Sequence, residues 1–192
     1  MNYLAHLCLA EDTQESLLGS LMGDFVKGPI VPSLAPELQR AIQQHRRIDS
    51  FTDGHPIVRQ SKRRVSADFR RYAGILIDMF YDHLLATQWH DYRDQPLDVF
   101  TARVYRLLEL HNDSLPGPMQ RTVRYMVRCD LLGSYRTVHG IHQALRGIEG
   151  RLKRPSNLST AIVELENNRE ALLRDFSLFF PELIDFVRSD SA

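Results

Sequence analysis

Residues Ile75 to Leu85 read Ile-Leu-Ile-Asp-Met-Phe-Tyr-Asp-His-Leu-Leu, a run that is apolar on nearly every side. A helix of that kind has no solvent face and belongs at the centre of a fold. Asp78 and Asp82 are four residues apart. On a helix they share a face, with Cβ atoms roughly 5–6 Å apart. A buried, unpaired carboxylate is costly or gives up its charge. Something must therefore neutralise both. A metal ion would do so, and so would a buried ionic network with Arg46 or Arg47.

The rest of the chain reads as helix almost throughout. Leu17, Leu18, Leu21 and Met22 form one stripe within Thr13 to Val26, with Gly28 and Pro29 as the stop. Pro36 suits the first turn of a helix through Leu38, Ile42, His45 and Asp49. A basic amphipathic helix follows Pro56, and Gly74 divides it from the apolar run. Pro96 opens a segment in which Phe100, Val104, Leu107, Leu108 and His111 recur at helical spacing. Pro116-Gly117-Pro118 reads as a turn. Helices are expected over Met119 to Leu132 and Val138 to Leu152. A last long one, capped by Ser156 or Asn157, should kink or break near Pro181. No window shows sustained period-two alternation between hairpin turns. The expectation is an all-α, single-domain helical bundle over residues 1–192.

Charge narrows the partners. Lys plus Arg and Asp plus Glu both number 24, so bulk charge argues for neither nucleic acid nor a membrane surface. Placement is uneven, however. Arg59, Lys62, Arg63, Arg64, Arg70 and Arg71 face only Asp68 within their segment. Such a stretch is either a solvated helix face or a surface for an acidic partner. Cys8 and Cys129 are isolated, without metal-ligand spacing, which suggests a reducing compartment. The N-terminus lacks a basic signal region, and no apolar run reaches transmembrane length. The expected location is the cytoplasm.

Metal-type side chains crowd the first half of the chain: His6, Asp24, His45, Asp49, Asp53, Asp78, Asp82 and His83. His45 and Asp49 are again four apart, so two helices each present a pair of potential ligands. Mixed imidazole and carboxylate donors suit Mn²⁺, Fe²⁺ or Zn²⁺, and carboxylate-rich octahedral sites favour Mn²⁺ or Mg²⁺. Each residue also has a plainer reading. His6 can be a hydrogen-bonded core histidine, His45 and Asp49 a surface pair, and Asp24 a helix cap. Taken together they favour a metal site, because the remaining chain has no comparable cluster. Phosphate-binding glycine loops, a nucleophile elbow and Cys-x-x-Cys are all absent from the sequence.

Four separated motifs then coincide. Asn2-Tyr-Leu-Ala-His6-Leu, Gly23-Asp24-Phe-Val-Lys-Gly28, His45-Arg46-Arg-Ile-Asp49-Ser-Phe-Thr-Asp53 and Asp78-x-x-x-Asp82-His83 together resemble the bacterial acyl carrier protein phosphodiesterases. The resemblance runs the length of the chain, although its specific motifs all lie in the first 85 residues. It implies an HD-domain-like helical fold, of the divergent HD phosphohydrolase type. Standard members of that type carry a His-Asp doublet, whereas this chain has Asp82-His83 in reverse order.

The implied reaction is hydrolysis of holo-acyl carrier protein to apo-protein and 4′-phosphopantetheine. The implied cofactor is a divalent metal, Mn²⁺ first and Mg²⁺ as the alternative. His6, Asp24, His45, Asp78 and Asp82 would supply the metal shell, with Asp49 close by. Arg46 would hold a phosphate oxygen. His83 would protonate the leaving serine oxygen or orient a ligand carboxylate. Acyl carrier proteins are acidic, so Lys62, Arg63, Arg64, Arg70 and Arg71 become a docking surface. The alternatives are an HD-type phosphohydrolase acting on a nucleotide or other small phosphodiester, and a non-catalytic helical binding protein.

Overall fold

A computed structural model describes residues 1–153 and 156–190, so the outer bound of the expected domain, residue 192, lies outside the described residues. Helices account for all the regular structure among them: α1 (Tyr3–Leu9), α2 (Gln14–Met22), α3 (Pro36–Gly54), α4 (Pro56–Arg64), α5 (Ala73–Thr87), α6 (Leu97–Leu110), α7 (Gly117–Arg128), α8 (Leu131–Ser134), α9 (Val138–Glu149) and α10 (Ile162–Asp190), joined by short 3₁₀ turns. The all-α expectation is met.

α5 is the central element. Leu76, Ile77 and every residue from Met79 to Ala86 are buried, the ionisable Asp82 included. It packs against α1, α4, α9 and α10, which is why its sequence has no polar face. Phe80, wholly buried, contributes about 1.5–3 kcal/mol by leaving water. Tyr81 meets Phe176 edge-on at 5.3 Å, and Phe176 stacks on Phe180 at 5.0 Å. This aromatic seam joins α5 to α10.

α2 and α3 lie unusually close, and two glycines permit it. A Cβ at Gly19 would stand 2.5 Å from the Ala41 Cβ, and one at Gly23 would stand 2.2 Å from the His45 ring. Gly19 and Gly23 are four apart, as are Ala41 and His45. The helices therefore meet along matching one-turn intervals.

Several local expectations change. α2 is capped at its start by the Thr13 hydroxyl, which accepts from the Ser16 N–H, and it ends at Met22 rather than continuing to Val26. α4 and α5 are divided by the 3₁₀ turn Ala67–Tyr72, and Gly74 lies inside α5. Pro116-Gly117-Pro118 starts α7, since a proline in the first turn forfeits no intrahelical bond. The segment Met119 to Leu132 is broken at Asp130, whose φ of +43° is left-handed.

Neither Ser156 nor Asn157 caps the last helix. Asn157 precedes the 3₁₀ turn Leu158–Ala161 without a side-chain capping bond. α10 also runs on through Pro181. Proline inside a helix costs about 3 kcal/mol. Here Phe176, Phe179 and Phe180 are buried before it and Leu183 and Val187 after it, so packing on both sides holds the helix together.

Candidate metal centre

α3 delivers His45 and Asp49 from successive turns, and α1 brings His6 to meet them. The His6 Nε2 lies 3.0 Å from Asp49 Oδ1, and the His45 Nε2 lies 3.2 Å from Asp49 Oδ2. The two imidazoles stack at 3.8 Å with 16° between their planes. Among the described residues, His6, His45 and Asp49 form the group whose donor atoms all fall within 4.8 Å of one another. Asp24, just beyond α2, reaches within 3.8 Å of the His45 Nε2. Asp78 is held by the Met1 amino group at 3.2 Å, and that same ammonium is 3.6 Å from Asp49. Carboxylates from three segments thus converge on one small region.

The protonation of these groups follows from burial and neighbours. Burial lowers the His6 imidazole to about 4 despite its Asp49 partner, so at neutral pH it is uncharged and offers a lone pair. Burial pushes Asp49 up, but hydrogen bonds from His45 and His6 outweigh it and hold the carboxyl well below the usual range. The His45 Nδ1 is 2.6 Å from the Ser20 carbonyl. Only N–H can satisfy that oxygen, so Nδ1 carries a proton and Nε2 is the ring atom turned to Asp49. Such backbone anchoring of a ligand imidazole is common in metal sites. The His6 Nδ1 is buried without a hydrogen-bond partner. Two imidazoles, the His6 ring neutral, beside an ionised carboxylate fit a divalent cation.

Asp82 stands apart from that group. Its two oxygens accept from the Leu4 N–H at 2.8 Å and the Ala5 N–H at 3.2 Å. These are the donors an N-cap side chain normally satisfies, and Asn2 makes no such bond. Asp82 therefore caps α1 from across the fold. Burial raises its carboxyl to about 7, offset in part by those bonds. His83 turns elsewhere. Its Nδ1 is 2.8 Å from the Tyr135 carbonyl, and burial lowers its pKa.

Arg46 and Lys27 line a cavity of about 340 Å³ with Asp24, His45 and Asp49. One Arg46 Nη donates to the Val26 carbonyl at 2.7 Å, which fixes the guanidinium beside the cluster. Among the basic residues of the α4 region, Lys62 pairs with Asp53 at 2.7 Å. Arg64 pairs with the buried Asp175 at 2.9 Å. Arg70 donates to the Val65 carbonyl and Arg71 lies over the Tyr72 ring. Arg59, Arg63, Arg70 and Arg71 are exposed. Cys8 is buried and Cys129 exposed, both unpaired.

Sequence reasoning passed over two contributors, the Ser20 carbonyl and Gly23. A main-chain acceptor carries no residue-type signal. The Gly19/Gly23 spacing did carry one, for close helix contact. Gly23→Ala places a methyl group against the His45 ring without removing any donor. Its expected effect is a loss of metal affinity of about 10–100-fold, read by calorimetric titration with Mn²⁺.

Comparison with known proteins places the chain in a family. The family profile described as acyl carrier protein phosphodiesterase matches residues 1–183. A relative of that name from Yersinia enterocolitica is 32% identical over 185 residues, covering 96% of each chain. One from Serratia proteamaculans is 33% identical over 185 residues with the same coverage. One from Escherichia coli O6:H1 is 34% identical over 189 residues, again 96% of each. No solved structure matches the chain. With a family profile spanning nearly its whole length and relatives of this closeness, the chain belongs to the acyl carrier protein phosphodiesterase family.

Proposed function

We propose that this protein hydrolyses holo-acyl carrier protein, releasing 4′-phosphopantetheine and leaving the carrier's serine hydroxyl free. The observation that carries the reading is the convergence of His6, His45 and Asp49 in a chain of this family. These three would hold a divalent ion, Mn²⁺ or Mg²⁺, with Asp24 and Asp78 at its margin. When bound, such an ion polarises a phosphoryl oxygen and lowers the pKa of water.

The chain's own groups do the rest. Arg46, with Lys27 beside it, directs positive charge at a non-bridging phosphate oxygen. Asp82 holds α1, and thereby His6, in register. We assign His83 a positioning role. Its Nδ1 is engaged by the Tyr135 carbonyl, and burial favours its neutral form, which is a poor proton donor. The likeness to HD-type phosphohydrolases belongs to this same reading, as does a cytoplasmic location, which accords with two unpaired cysteines. No described helix is long and apolar enough to cross a membrane.

The carrier would dock on the exposed arginines of α4 and the following turn. Arg64 serves Asp175 inside the protein, so Arg63 is the cleaner probe. Arg63→Glu should raise KM for the carrier about tenfold at low salt and leave kcat unchanged. An unchanged KM would refute the docking surface.

The direct test is incubation of holo-carrier with Mn²⁺ and the purified protein, read by mass spectrometry. Loss of the phosphopantetheine mass is the expected result. An intact holo-carrier, with turnover of a small phosphodiester instead, would favour the small-substrate alternative.

A further inference from the structure

A second, larger cavity opens beside the metal centre, with a volume of about 700 Å³ between α1, α7 and α9. Asp24 is in its wall and also in the wall of the smaller cavity that holds Arg46, His45 and Asp49. A ligand with its phosphate among those residues can therefore pass Asp24 into the larger space. The lining is mixed. Phe25, Met79, Tyr125 and Ile148 supply apolar surface, Asn2 and Tyr135 an amide and a hydroxyl linked to each other at 3.2 Å, and Arg121 and Arg151 guanidinium donors for carbonyl oxygens.

We propose that this cavity receives the pantetheine arm, a proposal that rests on the phosphodiesterase reading. The arm is uncharged beyond its phosphate. It carries a dimethyl group, a hydroxyl, two amides and a thiol. That alternation of apolar and hydrogen-bonding groups fits a wall of aromatic, thioether, amide and phenol side chains. The volume lies within the roughly 300–1,000 Å³ of pockets that enclose ligands of that size. Asp24 then stands at the junction of the phosphate and arm halves.

Gly147 makes the idea testable. It lies in α9 on the cavity wall, and a Cβ there would meet only the Tyr125 Oη, at 3.8 Å. Gly147→Trp should fill the arm cavity and leave the His6–His45–Asp49 cluster untouched. The expected result by calorimetric titration is a Kd for 4′-phosphopantetheine raised at least about tenfold, with Mn²⁺ affinity and Tm unchanged. Gly147→Ala should bind as the parent does.

A measurement without any variant accompanies it. The parent protein with Mn²⁺ should bind 4′-phosphopantetheine at least about tenfold more tightly than inorganic phosphate. Equal affinities would overturn the arm cavity, as would a folded Gly147→Trp protein that binds 4′-phosphopantetheine normally. If holo-carrier is still cleaved in either case, the phosphodiesterase reading stands and only the cavity assignment falls. If the parent releases no phosphopantetheine from holo-carrier, the functional reading itself fails and takes this proposal with it.

Discussion

His45→Ala is expected to lower turnover of holo-acyl carrier protein about a thousandfold, roughly 4 kcal/mol of barrier. His45 makes more site contacts than any neighbour: Asp49 at 3.2 Å, Asp24 at 3.8 Å, the His6 ring in stacking contact, and the Ser20 carbonyl behind it. Its removal takes one donor and frees the ring that positions another. The cost to the fold should be smaller, because α3 keeps its other buried residues Ala41, Ile42, Ile48 and Thr52. Steady-state kinetics with metal analysis and circular dichroism checks this. The expected pattern is intact helicity, lost Mn²⁺ and lost activity. Parental activity in a variant without bound metal would remove the metal centre from the mechanism.

Asp82→Ala is expected to destabilise the protein by about 2–5 kcal/mol. It leaves the Leu4 and Ala5 N–H groups buried without acceptors, at about 1–3 kcal/mol each. Activity should fall as well, through loosening of α1 and displacement of His6. Asp82→Asn separates shape from charge. The folded-state pKa of Asp82 is raised from 3.8 to about 7, chiefly by burial. The fold therefore favours the protonated carboxyl. Its contribution is fully present below the unfolded pKa and is lost as pH rises through the folded value. Denaturation in chelator should thus show the parent's advantage over Asp82→Asn to be largest near pH 4 and to shrink towards pH 7. An advantage that grows over that interval would mean the ionised form is the one the fold prefers.

The two carboxylates that looked equivalent in sequence illustrate what patterning can carry. Asp78 and Asp82 share an i,i+4 spacing on one apolar helix, and that spacing correctly required each to be neutralised. It could not say by what. Asp82 is satisfied by main-chain donors 77 and 78 residues away, and such donors have no residue-type signature. Asp78 meets the Met1 ammonium, a group with no side-chain letter. The His45–Asp49 pair was legible because both residues lie on one helix, where geometry is local.

Arg64 shows the same limit on the surface. By spacing it belongs with Arg63, yet Asp175 of α10 claims it. Pro181 shows it in the core, where burial on both sides outweighs a local rule.

By itself, then, the sequence determined the all-α class, the central burial of α5, the presence of the His45–Asp49 pair and the family motifs. Each of these depends on residues within one or two helical turns or on type and order alone. Only the tertiary structure decided that His6, rather than Asp78 or Asp82, lies against the His45–Asp49 pair, that Asp82 caps α1, and that Asp24 stands between two cavities. Those outcomes depend on where separate helices are brought together. That placement is set by packing over the whole core, and by close contacts such as Gly23 against His45, rather than by any one segment's pattern.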